Sequence, residues 1–225
     1  MELKNQSESH WKILSNKDRE PRLSKPEVLN EEIFLDKNKV LLSITDTKGV
    51  ITYCNDDFVS VSGYDEWELA GSAHNIIRHP DMPRVVFKLM WSRIQTKNNI
   101  IAIVKNLSKS GKYYWVMTDF VVKEDKLGNI IGYKAYRKPA PRKAVEAVIP
   151  LYEKLRKIED IKGMSAAEDF LVGFLDSKET TYDDFIESLI INNIDDNSIE
   201  TNEFKGNSGL TKKEKRSFFR RLFGN

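Results

Sequence analysis

Residues 39–54, KVLLSITDTKGVITYC, decide the fold. Two runs rich in β-branched and aromatic residues flank Thr47-Lys48-Gly49, and that pattern predicts two antiparallel strands joined by a hairpin turn. Downstream, NDDFVSVSGYDEWELAG (55–71) loses the two-residue period; Asn55 is placed to cap a helix, and Gly63 and Gly71 punctuate short helical pieces. MPRVVFKLMWSRIQ (82–95) carries Val86, Met90 and Ile94 at four-residue spacing, with Phe87 and Trp91 on the adjoining stripe. This is an amphipathic helix with Pro83 in its first turn. Three further runs, IIAIVKNLS (100–108), KYYWVMTDFVVKE (112–124) and IIGYKAYRK (130–138), are separated by turn-rich SKSG and DKLGN and predict three more strands. Strands at both ends of the domain can join into one five-stranded antiparallel sheet with short helices on one face, an α+β architecture. A hollow between that sheet and the long helix suits a planar ligand.

The chain has 225 residues, 40% of them hydrophobic, enough for one sizeable core with appendages. Its 36 basic and 34 acidic residues leave a net charge of +2, so no global field draws nucleic acid, and electrostatic function must be local. The single cysteine, Cys54, excludes an internal disulfide framework, suits a reducing cytoplasm and reads as a small buried apolar residue. No stretch approaches the roughly 20 apolar residues of a membrane span. The expected organisation is a flexible extension over 1–28, a sensor-sized domain over 29–140, a flanking helix over 141–160 and a helical tail over 161–225. Within the extension, Trp11, Ile13 and Leu14 form the one apolar spot, either incidental or a docking or dimerising segment.

Chemistry concentrates in HNIIRHPDMPR (74–84). Zinc would need three or four convergent nitrogen or sulfur ligands, and nucleophilic catalysis a recognisable nucleophile and base; neither pattern is present, so no enzymatic role is expected. Arg78, His79 and Asp81 instead offer a fixed cation, a titratable donor and an acceptor, stiffened by Pro80 and Pro83. Arg78 can fork onto pyrophosphate oxygens or pair with Asp81. His79 can donate to a ligand carbonyl or cap a helix. Trp91 can stack on a ring or simply fill the core. Asn106 shares the strand phase of Ile100, Ala102 and Val104, where an inward carboxamide requires a polar partner. Asn55, at a strand-to-helix junction, has the chemistry of a cap as readily as that of a ligand.

Taken in order, the hairpin, NDDFVSVSGYDEWELAG, HNIIRHPDMPR, FKLMW, IVKN, GKYYWV and GYKAYR resemble the PAS domain of bacterial aerotaxis (energy-taxis) receptors, Aer-like, over about Leu41 to Leu155. The Arg-His-Pro-Asp-Met-Pro string is the most specific part. The resemblance implies a PAS fold and a non-covalently bound FAD whose redox state is read out as a signal. It places the flavin pocket at Asn55, Arg78, His79, Asp81, Phe87, Trp91 and Asn106. This chain departs from the family at Asn99-Ile100-Ile101-Ala102, where a Pro-Trp-Ser-Gly-like stretch is usual. Haem, with His74 or His79 as axial ligand, is the rival cofactor. A third alternative is a ligand-free adaptor acting through its surfaces alone.

Beyond the last strand, RKPAPRKAVEAVIPLYEKLRKIED (137–160) reads as a helical segment interrupted at Pro150. The resemblance extends to the stand-alone PAS component of bipartite energy-taxis systems. That implies a cytoplasmic protein, peripheral to the inner membrane face, signalling to a membrane-bound chemoreceptor-like partner. Apolar doublets recur at 170–171 and 174–175, at 185–186 and 189–190, and at 218–219 and 222–223, each giving a helical apolar face. Ser165-to-Glu168 and Thr211-to-Glu214 are candidate capping boxes. Residues 160–207 hold 12 acidic and 3 basic side chains, whereas 211–225 hold 6 basic and 1 acidic. The final segment therefore suits an anionic membrane surface, an acidic partner groove, or its own acidic neighbour. A homodimer is a further expected partner state.

Overall fold

A computed structural model describes residues 25–193 and 222–223. Trp11, Ile13, Leu14, the Thr211 capping box and Phe218-Phe219 lie outside those residues. Five strands, β1 (Leu41–Thr45), β2 (Ile51–Cys54), β3 (Ile100–Leu107), β4 (Tyr113–Glu124) and β5 (Ile130–Pro139), form one antiparallel sheet in the order β2-β1-β5-β4-β3. The amino-terminal hairpin thus pairs with the last strand through β1 and β5, closing the sheet as expected.

Short helices α1 (Asp56–Ser62) and α2 (Glu66–Leu69), a 3-10 turn (His74–Ile77) and the longer α3 (Arg84–Gln95) connect β2 to β3. Asn55 starts α1: its Oδ1 accepts from Phe58 N at 3.1 Å and Leu42 N at 2.9 Å, and its Nδ2 donates to Val40 O. A single carboxamide thereby satisfies a helix end and ties it to β1. The apolar positions Val86, Met90 and Ile94 are buried as their spacing requires.

Inward strand positions alternate with outward ones, but on β3 and β4 both faces are buried, so their alternation is hidden in the sequence. The reason is the C-terminal extension. Helices α4 (Arg142–Lys162), α5 (Met164–Asp176) and α6 (Tyr182–Ile191) pack beside α3, and α6 lies on β3. Tyr152 Oη donates to Ile103 O at 2.8 Å and meets Tyr182 Oη at 3.0 Å, covering a polar group on the edge strand.

Three details of this extension differ from the sequence reading. Helix α4 runs through Pro150 without a break; the exposed proline turns its missing N–H to the solvent side, while Val145, Val148, Tyr152 and Leu155 bury the other face. Ser165 lies inside α5, whose start is set by Gly163, so the 165–168 box caps nothing. The cap that does form is Thr181, whose Oγ1 accepts from Asp184 N at the head of α6. Leu222 and Phe223 are helical and buried in the core cluster. The apolar side of the basic segment is therefore spent, at these two residues, on the protein itself.

Candidate functional site

Between the sheet and α3 lies a cavity of about 530 Å3, within the roughly 300–1,000 Å3 of small-molecule sites. Phe87, Met90, Trp91 and Ile94 of α3 form one wall. The inward phases of the strands form the other: Ser43 and Thr45, Val104 and Asn106, Thr118 and Phe120, and Tyr133, Ala135 and Arg137. Gly49 makes the approach of Trp91 possible. Its φ is 78°, and a Cβ there would sit 2.8 Å from Trp91 Cζ2. Trp91 in turn packs edge-on to Tyr133, ring centroids 5.5 Å apart.

Of the seven residues expected at the site, Arg78, Phe87, Trp91 and Asn106 line this cavity. The backbones of Arg78 and Asn106 are bridged, so the two residues enter the wall from adjoining segments. Arg78 stacks on Phe87 with Cζ 4.0 Å from the ring centroid and donates to Met82 O. It does not pair with Asp81. Asn106 is buried, and among the described residues its Nδ2 has no hydrogen-bond partner of normal geometry, the neighbouring Tyr114 hydroxyl included; nor has Thr118 Oγ1. A buried amide donor left open at a cavity wall is costly unless a ligand meets it.

The other three residues do not reach the cavity wall. Asn55 is consumed as the cap of α1. Asp81 is turned outward and held by Lys105 Nζ at 2.6 Å. His79 is buried behind the wall, edge-on to Tyr113, with Nδ1 accepting from Asp81 N. Burial, reinforced by Lys105, pushes its pKa down to about 4, so the ring is neutral at physiological pH. The unusual 99–102 stretch is also off the wall, which begins on β3 at Val104.

The structure adds Arg137, which the sequence reading did not place in the pocket, and gives His74, considered there only as a haem ligand, a different part. Arg137, 2% exposed, donates to Ser43 Oγ (2.9 Å), Ala135 O (3.1 Å) and His74 Nε2 (3.0 Å). These are neutral groups, and no carboxylate pairs with it among the described residues. Burial depresses its pKa to about 10, leaving it a cation at neutral pH. The signal was present: Tyr133, Ala135 and Arg137 share one strand phase, so an inward arginine follows from the inward tyrosine. His74 binds both Arg137 and Ser43 through Nε2. Burial, and then the guanidinium, push its pKa down to about 3. Because Arg137 is a permanent donor, His74 Nε2 acts as acceptor toward it. A nitrogen so engaged beside a cation is poorly suited to an axial haem bond. Among the described residues, no group of three or more His, Cys, Asp or Glu is placed to hold a metal ion.

An antiparallel sheet, short helices over one face and a cavity with buried polar groups in its wall define an α+β module built around a ligand-sized cup. Residues 51–137 match the family described as PAS fold. Over 134 residues the chain is 42% identical to the aerotaxis receptor of Escherichia coli (strain K12), covering 59% of this chain and 26% of the receptor. It is 24% identical over 110 residues to the bacterioopsin transcriptional activator of Halobacterium salinarum (strain ATCC 700922 / JCM 11081 / NRC-1), covering 48% and 16%. The chain thus spans about a quarter or less of the length of these relatives. Similar solved folds include the light-state blue-light photoreceptor Aureochrome1 LOV, with TM-score 0.45, 20% identity and 49% and 88% coverage of this chain and that one. The PAS domain of the fruit-fly ELK potassium channel gives 0.40, 19%, and 44% and 85%. Residues 51–137 thus match the PAS fold, and 134 residues of the chain are similar in sequence to the aerotaxis receptor.

Proposed function

We propose that the protein is an FAD-binding redox and oxygen sensor for energy taxis that signals by conformational change to a membrane-bound chemoreceptor-like partner, without catalytic turnover. The observation that supports this most is the cavity wall itself. It holds a buried guanidinium without a carboxylate and an unpartnered buried amide, among Phe87, Trp91, Phe120 and Tyr133. A flat, heteroaromatic ligand with an anionic or electron-rich edge fits that set.

Bound FAD would supply a reversible electron store whose charge and hydrogen bonding follow the supply of electrons. Asn106 offers both a donor and an acceptor to a pyrimidine-like edge. Arg137 favours negative charge near it, and neutral His74 holds that guanidinium in place without competing for the charge. Arg78, braced by Phe87, is positioned for phosphate oxygens. Asn55, His79 and Asp81 act one layer out, by fixing α1 and the loop that presents Arg78.

Freshly purified protein should be yellow, with flavin absorbance that bleaches under dithionite. Colourless protein from flavin-replete cells would remove this reading, and a Soret band would replace it with haem. A cytoplasmic location is part of this proposal; among the described residues no helix is long and apolar enough to cross a membrane. Homodimer formation is checked by sedimentation, and lipid contact through 211–225 by flotation with anionic vesicles; burial of Leu222 and Phe223 favours folding back over lipid contact.

A further inference from the structure

Helix α3 meets the C-terminal helices through three ion pairs, one carboxylate from each helix. Arg84 Nε lies 3.4 Å from Glu159 Oε2 of α4, Lys88 Nζ lies 2.6 Å from Glu168 Oε2 of α5, and Arg93 pairs with Asp183 of α6. Glu159 has a second task. It is 2% exposed, and its carboxylate accepts from Arg84 N at 2.9 Å and Val85 N at 2.7 Å. Pro83 provides no side-chain cap for α3, so a carboxylate 75 residues away supplies it. Arg156 also lies 3.6 Å from Glu159.

Arg84 and Lys88, both about half exposed, also line the cavity, together with Met164 from the junction of α4 and α5. They therefore stand at its rim. The cations that hold the C-terminal helices are the cations an anionic ligand meets on that side. We propose that α4–α6 and the phosphate-bearing end of a cavity ligand compete for Arg84 and Lys88, with Glu159 setting the strength of the competition. Ligand binding and docking of the C-terminal helices are then reciprocally linked, because each weakens the other's hold on the same side chains. The exposed Lys88–Glu168 pair contributes little by itself. The buried Glu159 is decisive because two α3 amides and Arg156 remain to hold it when Arg84 turns away, so α4 loosens rather than detaches.

The inference rests on the FAD reading for the ligand's identity, and the tests separate the two. In the full-length protein, Glu159→Gln keeps the side chain's shape, removes its charge and leaves one of the two α3 amides facing an N–H donor. Titration with FAD and with riboflavin, which lacks phosphate, should show the ratio of the two affinities rising about tenfold. Arg84→Gln, which leaves the α3 amides and their cap in place, should lower the ratio. FAD should also speed amide hydrogen exchange over 142–191 more than riboflavin does. Unchanged ratios in both variants, or equal exchange with the two ligands, overturn the competition while leaving flavin binding intact. Inorganic pyrophosphate at matched ionic strength is the flavin-free probe. It should speed exchange over 142–191 in the wild type and not in the Arg84→Gln/Lys88→Gln variant. No effect in the wild type overturns the competition; an effect in a protein that binds no flavin sustains it and removes the flavin reading.

Discussion

Replacing Arg137 by methionine separates a ligand contact from a structural one. In the ligand-free protein the guanidinium is held charged in a buried site, its pKa lowered from 12.5 to about 10 by burial. That shift corresponds to a penalty of about 3 kcal/mol on the charged form. For a base with a depressed pKa the unfolded chain binds the proton more readily, so the penalty is complete below pH 10 and fades between about 10 and 12.5. Against it stand hydrogen bonds to Ser43, Ala135 and His74, each worth about 1.5 kcal/mol net from a charged donor to a neutral acceptor. The two largely cancel, and Arg137→Met should unfold in urea within about 2 kcal/mol of the wild type. Binding should behave otherwise. Loss of one charge-assisted hydrogen bond to an anionic edge is worth roughly 1.5–3 kcal/mol, so the Kd for FAD, followed by quenching of flavin fluorescence, should weaken roughly 10- to 150-fold. A Kd within threefold of the wild type, with unfolding free energy reduced by more than about 3 kcal/mol, would show that Arg137 serves the fold and not a ligand.

Other perturbations test neighbouring parts. Asn106→Leu removes a buried amide whose nitrogen has no hydrogen-bond partner among the described residues; the ligand-free protein should lose less than about 1 kcal/mol in urea unfolding, while FAD affinity falls at least tenfold. His74 and His79, neutral in the folded state with pKa values near 3 and 4, should make acid costly: stability falls as pH drops through 6.5, by about 2–3 kcal/mol from each at pH 4.5, and His74→Gln should remove about half of that loss. Glu159→Ala leaves two α3 amides without their acceptor and should cost about 3 kcal/mol in the same assay. Gly49→Ala combines a strained φ of 78° with a Cβ 2.8 Å from Trp91, so it should shift Trp91 fluorescence and lower flavin affinity, whereas Gly63→Ala, distant from the cavity wall, should leave the spectrum of bound flavin unchanged.

The five strands and α3 are legible in the amino-acid order, because turn chemistry and apolar period are local properties; Arg78, Phe87, Trp91 and Asn106 enter the cavity reading through the family resemblance, their own chemistry leaving other roles open. Even Arg137 was available from the phase of Tyr133 and Ala135. What local pattern could not distinguish was a polar side chain aimed into the cavity from one spent on the backbone. Asn55 and His79 have ligand-like chemistry, yet the nearest open amides, Phe58 N and Leu42 N for one and Asp81 N for the other, take them. Asp81 is drawn outward by Lys105, which is near only once β3 lies beside the loop.

The C-terminal half marks the same boundary. Sequence alone set the helical faces of 142–191, since a 3.6-residue period needs no partner to be recognised. Where those faces land was decided by the tertiary structure: α6 packs on β3, Tyr152 of α4 reaches the backbone of that edge strand, and Glu159, Glu168 and Asp183 meet three basic side chains on α3, about 75 to 90 residues away. Pairing across that separation depends on the chain closing into one sheet, which brings together charges that no window of sequence contains.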